Sequence, residues 1–125
     1  MKIDEIGLVN WPKSWACVSE DIVYGREIVR IFKPFLSHLI ESDLLDKTIK
    51  KHIDNLWLLG GHLIKVVNLY NKDRGKHPIF LLTECVDSFY GPRIRDLSEQ
   101  QQNSFDSTCR KLYKYIVVNR KRYGL

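Results

Sequence analysis

Residues 46–68 read DKTIKKHIDNLWLLGGHLIKVVN, and whether this stretch is one helix or two decides what fold the chain can have. Ile49, Ile53, Leu56, Gly60, Leu63, Ile64 and Val67 fall on one face at helical spacing, about 3.6 residues per turn. Lys47, Lys50, Lys51 and Lys65 fall on the opposite face. Trp57, Leu58, Leu59 and Val66 widen the apolar surface beyond one stripe, which predicts a central helix touched from several sides. Asp46 sits in the first turn or caps it, where a carboxylate suits the positive helix end. Gly60 and Gly61 each weaken a helix by about 1 kcal/mol relative to alanine. The apolar period nevertheless runs unbroken on both sides of them, so the stretch is expected to be a single helix. On that reading the bare Gly60 lets another helix approach closely, and Gly61 accommodates either a kink or a crowded crossing.

Working outward, a second helical pattern begins at Asp21. Ile28, Ile31, Phe32, Phe35, Leu36 and Leu39 recur at spacings of three and four. Pro34 lacks the amide that would continue the ladder, so the expectation is one helix over 21–33 and another over 34–42. Residues 70–78, YNKDRGKHP, read as a loop. A shorter helix is expected over 79–90, with Thr83 as an internal cap, before YGPRIRD breaks the pattern. Ser98 and Gln101 form a capping box, and Phe105, Cys109, Leu112 and Ile116 continue it as a stripe to about residue 121. Residues 1–20 have no clean period. Pro12 disfavours helix at Trp11, and an extended arm whose Trp11 and Trp15 indoles pack on the body is expected there. The fold class is therefore all-α, a compact bundle of four to five helices over 21–125, strapped by residues 1–20.

The 125 residues suffice for one core. Cys17, Cys85 and Cys109 are widely spaced and odd in number, which argues for reduced, partly buried thiols and against a disulfide framework. The first residues carry early acidic side chains and no apolar run of roughly 7–15 residues, so no secretory signal is read. No stretch approaches the roughly 20 apolar residues that span a bilayer. A cytoplasmic protein with no membrane partner is expected. The net charge of +5 is unevenly placed: residues 46–78 hold 7 basic and 3 acidic side chains, and residues 105–125 hold 6 and 1. Such patches suit nucleic-acid binding, while a merely solvated face is the bland reading.

Catalytic and metal constellations are missing. His38, His52, His62 and His77 have no ligand spacing, and no Cys/His cluster matches a zinc site. Cys85 and Cys109 read as small core residues, not as nucleophiles with a paired base. LLGGHL follows helix, not strand, and is no phosphate loop. The chain is therefore expected to be no enzyme, with no cofactor and no metal. What remains are two basic helical faces, one with Lys47, Lys50, Lys51 and Lys65, the other with Arg110, Lys111, Lys114 and Lys121 beside Arg122. Both suit phosphate contacts. Tyr113, Tyr115 and Tyr123 nearby either stack on bases or are buried.

One longer arrangement is more specific. FLSHLIESDLLDKTIKKHIDNLWLLGGHLI resembles the opening of the core-binding, SAM-like domain of tyrosine recombinases and phage integrases. Leu44 matches the family's turn leucine, and Lys47-Thr48-Ile49 match the start of its second helix. LLTECVDSFY is similar to the third helix and LSEQQQNSFDSTCRKLYKYIVVN to the fourth. The likeness spans roughly residues 26–120. It departs at the turn, where Asp43 stands for glycine, Leu45 for serine and Asp46 for proline. The family's catalytic domain would follow residue 120, and the sequence ends at Leu125. The resemblance thus implies a non-catalytic, free-standing module whose second and fourth helices face duplex DNA. The rival expectation is a protein-interaction module or small regulatory partner, bound to a recombinase or to itself, with an exposed apolar patch around Trp11, Trp15 or Leu58.

Overall fold

The computed structural model describes residues 1–125 as an all-α fold of five helices with no strand. These are α1 (Trp11–Trp15), α2 (Glu20–Ile40), α3 (Asp46–Leu69), α4 (Pro78–Cys85) and α5 (Glu99–Val118). Short 3-10 turns at Ile3–Glu5, Leu8–Asn10 and Asn71–Gly75 join them. No helix is long and apolar enough to cross a membrane.

The stretch 46–68 is one unbroken helix. Leu56, Leu59, Leu63 and Val67 are fully buried on it, meeting Phe32, Phe35 and Leu36 of α2 and Phe105, Leu112 and Ile116 of α5 in one core. Gly60 is buried beneath the indole of Trp15, where a Cβ would lie 2.9 Å from Cε2 and nearer still to Cζ2 and Cη2. The close approach expected of Gly60 is therefore made by a tryptophan from α1. Gly61 is looser, with a Cβ at ordinary distance, 3.4 Å, from Trp15 Cδ1.

Residues 1–20 are not the extended arm expected from the sequence. Trp11 is helical and opens α1, with Pro12 in the first turn, where its missing N–H removes no intrahelical bond. The local bias against helix before proline is overridden because this turn buries Trp11, Pro12 and Trp15 together. The two indoles meet edge to face at 5.7 Å. Pro12 lies over Gly25 of α2, and Trp15 Nε1 donates to the Trp57 carbonyl at 3.0 Å. The Trp57 indole in turn donates to the Ser14 hydroxyl at 2.9 Å. With Trp11 and Trp15 buried, they offer no apolar docking patch.

Pro34 does not divide α2, contrary to the break expected there. The penalty for an internal proline is about 3 kcal/mol. Ile31, Phe32, Phe35 and Leu36 lie on both sides of it and are all buried, at roughly 1.5–3 kcal/mol each, so an uninterrupted stripe outweighs the lost amide. The Tyr123 hydroxyl donates to the carbonyl of Ile31 at 3.0 Å, just before the proline. Burial pushes this phenol far above its ordinary pKa. Tyr123→Phe should lower stability by about 1 kcal/mol, and an unchanged urea midpoint would show that the bond contributes nothing.

The remaining boundaries are shorter than the sequence suggests. α4 ends at Cys85 instead of residue 90, and α5 ends at Val118 instead of 121, followed by a turn through Gly124. His77 caps α4, its Nδ1 accepting from the Ile79 amide at 3.2 Å, whereas Thr83 donates backward to the Ile79 carbonyl. At the start of α5 the Ser98–Gln101 capping box forms in both directions. Gln102 then ties the preceding loop down, accepting from the Ile94 amide and donating to the Pro92 carbonyl.

Candidate nucleic-acid interface

The relation between the two basic helices is set by a buried polar contact. His52 Nδ1 lies 2.7 Å from the Thr108 hydroxyl. The Asn55 side-chain amide donates to Thr108 Oγ1 at 2.9 Å and to the Ser104 carbonyl at 3.1 Å. His52, Asn55 and Thr108 are all buried. Moving forward along α3 from 52 to 55 therefore means moving back along α5 from 108 to 104. The helices run in opposite senses, and the start of α3 lies at the same end of the bundle as the finish of α5.

This register sorts the candidate cations. Lys47, Lys50 and Lys51 belong to the first turns of α3, and Lys111 and Lys114 to the last turns of α5, with Lys121 in the turn beyond. Lys47, Lys50, Lys51, Lys111 and Lys114 share one end, whereas the turn holding Lys121 folds back along α2, where Tyr123 reaches the Ile31 carbonyl and Arg122 lies near Glu27 and His77. Lys111 approaches α3 closely enough that, after burial itself, its charge is the second cause holding the His52 pKa below the ordinary imidazole value. Lys65 stands apart: it lies 14 residues beyond Lys51, about 21 Å along the axis. It sits beside His62, whose pKa is lowered by burial and by Lys65. Arg110 is directed elsewhere, donating to the Phe89 carbonyl at 2.9 Å.

All eight cations are exposed, and none lies within 4.0 Å of a carboxylate. The two sides of the shared end nevertheless differ. Glu41 and Asp43 in the α2–α3 turn and Asp46 at the start of α3 adjoin the α3 lysines in the chain, with Asp46 3.9 Å from the amino terminus. Lys50 lines a shallow cleft with Met1 and Glu5. On the α5 side Lys111, Lys114 and Arg122 line a cleft of about 530 Å³ against His38 of α2, with no Asp or Glu on its wall. Tyr115 lines it too, half-buried, with ring centroids 5.2 Å from His38 and 5.6 Å from Phe35. A third basic stripe on α2, Arg26, Arg30 and Lys33, was hidden by the acidic residues around it in sequence. It lines a cleft of about 440 Å³, where Asp4 on the wall and the Glu27–Arg30 ion pair temper its charge.

No group of three His, Cys, Asp or Glu side chains comes together as a metal site. Burial pushes the Cys85 thiol up to about 11 and the Cys109 thiol higher still, as for core thiols that stay protonated at neutral pH. The strongest ionic knot is structural. Asp21, fully buried, accepts from the Cys17 and Val18 amides, from Asn68, and from Arg74 Nη1 at 2.7 Å. No family model, curated protein or solved structure matches this chain.

Proposed function

We propose that the chain is a non-catalytic DNA-binding module of the recombinase core-binding kind, holding duplex DNA chiefly through its phosphates. The observation that carries this reading is the antiparallel register of α3 and α5 at His52–Thr108. It brings Lys47, Lys50 and Lys51 to the same end as Lys111 and Lys114, with Lys121 in the turn beyond α5. Six phosphates neutralised by these lysines imply that binding falls with salt roughly as the −5 power. An electrophoretic shift on random duplex, repeated over a salt series, measures that slope.

Replacing Lys50, Lys51 and Lys114 with glutamine removes three of the six contacts and should flatten the slope to about −3. Lys65→Gln, far along α3, should leave it unchanged. A triple variant that binds like the parent sinks the proposal, as does a parent that shifts no duplex at low salt.

A second reading is favoured by the exposed aromatics Phe80 on α4 and Phe89 and Tyr90 in the loop after it. These would serve a protein-interaction module. Stoichiometric capture of one protein partner, lost in Phe89→Ser and indifferent to the lysines, would replace the DNA reading with this one.

A further inference from the structure

The cleft between α2 and α5 combines features that a duplex surface does not require. Three cations, Lys111, Lys114 and Arg122, line one recess. Part of its wall is aromatic: Tyr115 lies against His38 at an interplanar angle of 39°, meets Tyr123 edge to face at 6.5 Å, and accepts from Arg122 Nη1 at 2.9 Å through its hydroxyl. Ammonium groups without carboxylate partners, beside an exposed imidazole and a half-buried phenol ring, match an anionic ligand that also has a flat face. Its volume, about 530 Å³, lies within the range of small-ligand sites.

We propose that this cleft takes one unpaired nucleotide, its base on the Tyr115 and His38 rings and its phosphate among Lys111, Lys114 and Arg122. The shared chemistry is a nucleoside 5′-phosphate, whether a free nucleotide or the single-stranded flank of a duplex. The inference rests on the DNA reading for the polymer, and it shares Lys111 and Lys114 with that surface. His38, Tyr115 and Arg122 belong to the cleft alone.

The test is an NMR titration of the full chain with thymidine 5′-monophosphate, with thymidine and with inorganic phosphate. The nucleotide should shift the His38 and Tyr115 ring resonances and saturate. Thymidine should bind at least about tenfold more weakly, since it lacks the charge. Tyr115→Ala should weaken nucleotide binding by about tenfold or more. His38→Ala, on an exposed side chain, supplies the same reading should the tyrosine variant fail to fold. Ring resonances that ignore the nucleotide at millimolar concentration overturn the proposal. So does inorganic phosphate giving the same shifts at the same affinity, which would leave a plain anion site.

For the polymer, His38→Ala should retain blunt-duplex affinity and lose any preference for a duplex with a single-stranded 5′ overhang. Mononucleotide binding without such a preference assigns the cleft to free nucleotides. Duplex binding with a silent cleft removes this inference alone, whereas a responsive cleft without duplex binding removes the duplex reading alone.

Discussion

Asp21→Ala is expected to lower the unfolding free energy by about 3–5 kcal/mol, the cost of breaking a buried ion pair from one side. The carboxylate is fully buried and is shared by three parts of the chain. It holds the amides of the turn between α1 and α2, the Asn68 side chain near the end of α3, and Arg74 in the following 3-10 turn. The substitution leaves the Arg74 guanidinium, itself only 21% exposed, without its partner. Burial alone would raise the Asp21 pKa, but Arg74, Asn68 and the two amides outweigh it and hold it at about 2, below the ordinary 3.8.

A carboxyl with a depressed folded pKa stabilises the protein above its unfolded pKa and loses that contribution as pH falls through the folded value. For Asp21 the window runs from 3.8 down to about 2, and the contribution is about 2 kcal/mol. Acid unfolding of the parent should therefore steepen in that window, and Asp21→Ala should be flatter there. Arg74→Ala should raise the Asp21 carboxyl titration, read by carbon NMR. A midpoint that does not move would mean the guanidinium is not what holds the charge.

The second large effect is a change of sign at neighbouring glycines. Gly61→Ala should stabilise by up to about 1 kcal/mol through helix propensity, because its Cβ meets Trp15 at ordinary distance. Gly60→Ala gains the same propensity but drives a methyl into the Trp15 six-membered ring. Overpacking of this kind costs roughly 1–3 kcal/mol, and Gly60→Val, with more bulk, should cost more. In a Trp15→Ala background the obstruction is gone, so Gly60→Ala should become stabilising. A double-mutant cycle in urea reads this directly. Additive behaviour at the two sites would show that the indole does not press on the glycine.

The main helices were readable because each carries a long apolar stripe. Leu56, Leu63 and Ile64 announce α3, and Phe105, Cys109, Leu112 and Ile116 announce α5, and all are buried. Pro34 misled because its penalty is local while the stripe crossing it is collective. The five residues of α1 are too short to show a period, so only their burial reveals them. His52 and Asn55 occupy inward positions of α3 that pattern reading treats as polar gaps. Periodicity identifies a helix's inward face, but the partner of that face is chosen by tertiary contact. The lysines were thus legible as two faces, and their meeting at one end was not. The α5 wall of the cleft, Lys111, Lys114, Tyr115 and Arg122, was legible as a basic face with a tyrosine, but its closure by His38, 77 positions away from Tyr115, was not.

The seat of α1 also determines what the protein reports in a fluorimeter. Its three tryptophans, Trp11, Trp15 and Trp57, all stand at this one junction, and none lines the cleft between α2 and α5. Intrinsic emission is therefore a local gauge of whether the first segment is seated on α2 and α3. Emission changing at lower denaturant than circular dichroism would mark release of that segment from a bundle whose helices persist. Coincident curves would show that the segment and the bundle come apart as one cooperative unit.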